Sequence, residues 1–423
     1  MKENFLHYIW MYQLFQKTDL RSTNGESIHI EKSGMYTQLS GPDFKDATIV
    51  IANQIWVGTV EIHLKSSDWY VHHHETDPAY DNVILHVVWE DDMPVFRSNH
   101  TIVSTLELKG RVPAYLLQNY DALFNKAKYW IPCEMSLSDV EPFVWQHWLE
   151  RLYFERLHHK TENILVLLDK YHHDWEGVLF VLLAQNFGLK INSEAFYQMA
   201  STLDWGILRK ERENVMTLEA LFMGQAGLLH PESTCIYEKE LYQIFSFQKH
   251  KYNLQTPLIT TQFFRLRPPN FPTIRLSQLA DLWYKNKHLF QELNSVQTLS
   301  QYHAILQSKT SDYWETHFIF GKSHPQMTKK TTSSFMDLLL INTVIPLQFT
   351  FMKIQGKSDE DTLLEVVKHM KPERNSIVDT FNQKGLITEN AMQSQALLTL
   401  KNEYCNHQKC LQCEVGLHVL KRK

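Results

Sequence analysis

A chain of 423 residues is longer than one hydrophobic core usually organises, so two or three domains are expected. Its 43% apolar and 12% aromatic content excludes intrinsic disorder. Lys+Arg 42 against Asp+Glu 47 gives a net charge of -5, which excludes a surface coated in phosphate-binding cations and leaves only local basic patches for nucleic acid.

The N-terminus, MKENFLHYIWMYQLF, has an apolar run interrupted by His7, Tyr12 and Gln13, and no small-residue cleavage site follows. It reads as a helix: Phe5, Leu6, Ile9 and Tyr12 share a helical face, and Glu3 suits the first turn. From Ser27 to Leu108 the pattern changes to short β-type runs separated by Asn24-Gly25, Gly41-Pro42 and Asp92-Met93-Pro94, which predicts one sheet. Beyond Pro142 the period is helical, with Trp145, Trp148, Leu149 and Leu152 at i, i+3, i+4 and i+7, and the pattern returns at Trp175, Val178, Leu179, Leu182 and Leu183. Pro268, Pro269 and Pro272 make Phe263 to Arg275 an extended loop. The longest uncharged stretch, Leu338 to Met352, contains Asn342, Pro346 and Gln348 and is too short to span a bilayer, so a cytoplasmic protein without membrane contact is expected. The predicted class is α+β: a mixed sheet with flanking helices over 1–130, a large all-α domain over 140–400 with its proline-rich loop at 263–275, and a Cys-rich tail over 401–423.

In a strand from Ile55 to Lys65, alternation places Trp56, Val60, Ile62 and Leu64 on one face and Thr59, Glu61, His63 and Lys65 on the other. Asp43 lies at the turn into the preceding strand, so pairing of the two strands brings it beside Glu61. Two hard carboxylates suit Mg²⁺ or Mn²⁺. The competing expectation is a solvated face of an antiparallel strand. Downstream, Ser66 to Asp81 adds Asp68, His72, His73, His74 and Asp77, of which His74 and Asp77 are the chosen metal ligands. A zinc hydrolase built on His63, His74 and Asp77 is a further alternative. His86, within VILHVVW, reads as a hydrogen-bonded core histidine.

At these residues Pro42-Asp43, a β-hairpin and Glu61-Ile62-His63 resemble the PD-(D/E)XK nuclease superfamily. The resemblance implies a nuclease-like sheet and metal-dependent phosphodiester hydrolysis of DNA or RNA. Asp43 and Glu61 would hold Mg²⁺ or Mn²⁺, and His63, at the lysine position of the motif, or Lys65 would orient the attacking water. It also implies a further acid from an opening helix, for which Glu3 is the early helical residue. A non-enzymatic nucleic-acid or protein-binding scaffold that keeps the sheet without the chemistry is the rival. Over its whole length the chain also resembles an uncharacterised bacterial family with the pattern GPDF, GxVEIH, SDWxxHxH, YDNVILHVV and a cysteine-rich end.

Cys405-x4-Cys410-x2-Cys413 has the spacing of thiolates converging on a soft cation, zinc ahead of iron-sulfur. His407, His418 and Cys133 are the choices for a fourth ligand, an iron-sulfur cluster favouring Cys133; the alternative is reduced thiols in a packed tail. Cys235 has no partner in sequence and is expected to be buried or inert. Arg265, Arg267 and Arg275, set among Phe263, Phe264 and Phe271, form the best nucleic-acid contact in the chain, although an interdomain clamp is the favoured reading. Gly224-Gln225-Ala226-Gly227 lacks the Lys and Ser/Thr of a phosphate loop and predicts a close helix contact.

Overall fold

The opening helix α1 (Glu3–Met11) buries every residue from Phe5 to Trp10, so it is enclosed rather than amphipathic. Phe5 stacks on Tyr120 at 3.9 Å between ring centroids, and the Trp10 indole donates to the Ser33 carbonyl at 3.0 Å. Tyr12 lies beyond the helix end and is exposed rather than part of its buried face, because Gln13 takes a positive φ and turns the chain away. The computed structural model describes residues 1–37, 40–124, 129–357 and 360–423.

The sheet consists of β1 (Ile28–Lys32), β2 (Met35–Tyr36), β3 (Phe44–Ile51), β4 (Gln54–Lys65), β5 (Val83–Glu90) and β6 (Thr105–Glu107). Its order is β1-β3-β4-β5-β6, with β2 also on β3. β3 and β4 form an antiparallel hairpin through Ala52 and Asn53, both at positive φ, as a two-residue turn matched to strand twist requires. β4 pairs with β5 in parallel, and β5 with β6 likewise, so the sheet is mixed. A parallel pair needs a crossover. The β4–β5 crossover is the His-rich segment, and it carries the short helix α2 (Asp68–Val71). Within the stretch read as short β-type runs, residues 93–98 contribute one isolated bridge, between Phe96 and Ile102.

The chain divides into two compact units. One comprises Met1–Trp148, Lys384–Leu386 and Leu400–Lys423; the other comprises Leu149–Gln383 and Ile387–Thr399. The first holds the sheet, α1 and α3 (Ala114–Phe124), and the second is helical, which gives the α+β class. Within the helical unit, Gly224 does provide a close helix contact: an added Cβ would sit 2.2 Å from the Phe245 ring. Ser333–Ile354 is one continuous apolar helix, its middle widened into a π turn at Leu340–Val344. Pro346 has no N–H for the Asn342 carbonyl four residues back, and the Lys160 ammonium donates to that oxygen at 3.2 Å instead. This is the one helix among the described residues long and apolar enough to cross a membrane; it extends beyond the uncharged stretch read in the sequence, and 72% of its apolar window is buried as core.

Candidate metal centre

Both faces of β4 are buried near its C-terminal end, Val60 and Ile62 on one side and Glu61 and His63 on the other. The expected solvated face is therefore absent there: α1 packs against β4 where water would have been. A bulge in the β3–β4 register between Phe44 and Ala47 frees the start of β3 to bend, and Asp43 uses that bend. Its backbone N–H donates to Glu61 Oε2 at 3.1 Å, while its own Oδ2 accepts the Ile62 N–H at 3.0 Å. The two carboxylates read from the sequence as partners are thus stitched together through the backbone of adjacent strands.

Histidines close around them. Glu61 Oε1 stands 3.4 Å from His74 Nε2 and 3.6 Å from His63 Nε2. His63 Nε2 is 3.1 Å from His72 Nδ1, and one ring nitrogen from each of His63, His72 and His74 lies within 4.8 Å of the others. On the other side, His7 Nε2 lies 3.2 Å from Asp43 Oδ2 and 3.9 Å from Glu3 Oε1, with His7 Nδ1 3.2 Å from the Tyr36 hydroxyl. Behind the trio, His86 Nε2 meets His63 Nδ1 at 2.9 Å.

The His triplet reaches the site because of how α2 ends. His73 sits at φ 60° in the left-handed position just past the helix. Its N–H donates to the Tyr70 carbonyl and that of His74 to the Trp69 carbonyl, the paired bonds of a Schellman turn. This turn throws His73 outward and brings His72 and His74 back to β4. His74 is then fixed by stacking on Tyr80 at 3.6 Å between centroids.

Burial sets the electrostatics. It pushes the Glu61 carboxyl up to about 9, reinforced by the neighbouring Asp43 carboxylate. It drives His63 down to about 2, helped by His86, His74 and His72, and His86 down to about 3. The His74 imidazole is lowered as well, burial outweighing the pull of Asp77 and Asp43, and burial raises Glu3. His63, His74 and His86 are consequently neutral near pH 7. His7 Nε2 and His74 Nε2 are buried without a hydrogen-bond partner although carboxylate oxygens stand beside them. Orphaned imidazole nitrogens next to carboxylates are the donor set of a divalent cation, and the nitrogen share fits Zn²⁺ or Mn²⁺ better than Mg²⁺.

Not every residue singled out in the sequence joins this cluster. Asp77 accepts the Ala79 N–H at 2.9 Å and caps the turn Pro78–Tyr80, which occupies one carboxylate oxygen in local structure. Lys65 is exposed at the end of β4, and its backbone N–H donates to Asp68 at 3.0 Å. His86 is the buried, hydrogen-bonded histidine expected, and its partner is His63 of the site. His7 was missed, although Glu3 and His7 at i, i+4 on one helix face were a readable signal. His72 was passed over because a sequence does not display the turn that redirects it.

Elsewhere, Arg275 is buried, donates to Gln278 and Asn270, and lies over the Phe335 ring at 3.6 Å. Its guanidinium is occupied by partners within the helical unit, whereas Arg265 and Arg267 are exposed. Cys235 is half-buried with its sulfur 3.2 Å from the Tyr313 hydroxyl. Burial would raise its thiol, but that hydrogen bond and nearby backbone N–H groups outweigh it and hold the thiol below the usual value. Cys133, Cys410 and Cys413 are buried, Cys405 is half-buried, and all are free thiols.

No curated protein and no solved structure matches the chain. A family model matches residues 3–376, from the start of α1 through the carboxylates, the histidines and most of the helical unit. The chain belongs to the family described as Protein of unknown function (DUF2851).

Proposed function

We propose that this chain is a metal-dependent phosphodiester hydrolase acting on nucleic acid. The observation that carries the reading is the joining of Asp43 and Glu61 across β3 and β4 within a cluster of buried imidazoles. Asp43 and Glu61, with His63, His72 and His74, would hold a divalent cation, which supplies Lewis acidity toward a phosphoryl oxygen and a water of lowered pKa. For His63 to offer Nε2, its Nδ1–H must donate to His86 Nε2, so His86 fixes the tautomer from behind. His7, with Nε2 beside Asp43 and Nδ1 at Tyr36, is placed to accept a proton from water near the carboxylates. Arg265 and Arg267 are exposed and available to phosphate. The free cysteines suit a reducing compartment, in keeping with a cytoplasmic protein.

The test is cleavage of single- and double-stranded DNA and RNA with Mn²⁺, Zn²⁺ or Mg²⁺. Asp43→Asn and Glu61→Gln should each reduce cleavage by more than the 10–100-fold typical of outer-shell changes, with the fold intact by circular dichroism. His63→Lys restores the residue the nuclease pattern expects; raised activity supports the nuclease assignment, and lost metal binding makes His63 a ligand. Metal binding without cleavage of any polymer makes the chain a scaffold. A second reading, a zinc hydrolase of another bond type, is favoured by the convergence of His63, His72 and His74 and would appear as zinc-dependent hydrolysis of esters or amides without phosphodiester cleavage.

A further inference from the structure

We propose that Cys133, Cys405, Cys410 and Cys413 together hold a metal centre through four thiolates, a site separate from the histidine cluster and independent of the function proposed above. The choice of Cys133 as fourth ligand rests on the surroundings of the tail. Lys401 donates to the Trp130 carbonyl at 3.1 Å and to the Asn406 side chain at 2.6 Å, which ties the segment before Cys133 to the segment after Cys405. Cys133 is buried, and its thiol is raised first by that burial and further by the neighbouring Cys405, Cys413 and Cys410. His407, by contrast, is exposed.

The local backbone is shaped for the purpose. Cys410 to Cys413 form one tight turn, the Cys413 N–H donating to the Cys410 carbonyl at 3.3 Å. Cys413 then occupies the N-cap position of the helix Glu414–Lys421. Gly416 is required there, since a Cβ would fall 2.2 Å from the Cys410 carbonyl oxygen. None of the four thiols is paired in a disulfide. A soft cation accounts for their convergence. The sulfurs do not converge as tightly as the histidine nitrogens, which lie within 4.8 Å of one another, so one zinc ion would have to draw the thiols closer together, whereas an iron-sulfur centre is itself larger. On binding, each thiol releases its proton to solvent as a sulfur–metal bond forms; an iron-sulfur centre also takes up iron and inorganic sulfide.

The experiment is metal and sulfide analysis of the full chain purified anaerobically without chelators. One zinc ion per chain, or iron with acid-labile sulfide and visible absorption, is expected. Cys133→Ser and Cys410→Ser should each lose that metal, whereas the double variant His72→Ala, His74→Ala should keep it. Should the cysteine variants fail to fold, mercurial titration of the unaltered protein decides: metal should be released in step with modification of these four thiols, located by peptide mapping. Absence of zinc and iron, or retention of the metal after Cys133→Ser or after all four thiols are modified, overturns the site.

Discussion

Two buried glutamates, one in each unit, face opposite surroundings. Glu219, fully enclosed in the helix Val215–Gln225, accepts from the Ser277 hydroxyl on one oxygen and from the Tyr237 hydroxyl at 2.5 Å on the other. Those donors are themselves held, Ser277 accepting the Ser311 N–H at 3.0 Å and Tyr237 lying 3.2 Å from the Ser311 hydroxyl. Glu61, almost as deeply buried, has a second carboxylate, a backbone N–H and two imidazole nitrogens outside hydrogen-bond geometry. Burial raises the proton affinity of both. The lesson is that burial of a charge does not mark a site; what marks it is whether the neighbours already complete its bonding. Around Glu219 they do, whereas the His63 and His74 nitrogens beside Glu61 make no hydrogen bond to it.

That contrast can be broken most forcefully at Glu219. Glu219→Ala should strand two buried hydroxyl donors and cost about 3 kcal/mol, from the roughly 1–3 kcal/mol of each unsatisfied group. Urea unfolding followed by tryptophan fluorescence should show the loss, while calorimetric Mn²⁺ affinity stays unchanged. A change in affinity would make the two carboxylates one system.

Proton linkage sharpens the same contrast. Glu61, raised from 4.5 to about 9, holds a proton in the metal-free fold that it lacks when unfolded, so metal-free stability falls as pH rises across that interval. His63 and His86, lowered from 6.5 to about 2 and about 3, lose their contribution as pH falls below 6.5. Thermal unfolding of metal-free protein should therefore show greatest stability near pH 6.5. A bound divalent cation should remove the alkaline decline, and its affinity should rise by up to about tenfold per pH unit between pH 7 and 9 as one proton is displaced. Calorimetry in buffers of different ionisation enthalpy reads that proton; none released would mean Glu61 is not a ligand.

The smallest effect belongs to the residue behind the site. His86→Leu, of similar bulk, should leave β5 folded and weaken metal affinity about tenfold, the lower end expected when the partner orienting a ligand histidine is removed. No change in affinity would leave His86 a core residue alone.

Much of this was legible in the sequence, for reasons that differ by residue. Strand alternation alone put Glu61 and His63 on one face, and the Pro42-Asp43 turn placed an acid at the neighbouring strand, because these relations span a few residues of regular backbone. Asp77 and His72 exchanged roles for a non-periodic reason: one caps its own turn, and the other is redirected by a helix terminus whose left-handed residue is a histidine rather than the usual glycine. The second face of β4 depended on α1, more than forty residues away in the chain, and no local pattern announces such packing. Trp145, Trp148, Leu149 and Leu152, one face by helical period, are all buried, because period and burial coincide there.

The division of the chain between its units has a consequence for how the protein is made. The Asn119 side chain in α3 donates to the Leu420 and Arg422 carbonyls, and the last helix packs on α3. A ribosome therefore releases the sheet early and its closing helix last, with the helical unit synthesised in between; at about 5–20 residues per second the wait is roughly tens of seconds. During that interval the surface of α3 that receives the helix Glu414–Lys421 lacks that cover. The sheet unit is therefore completed only after the segment that forms the helical unit has been made.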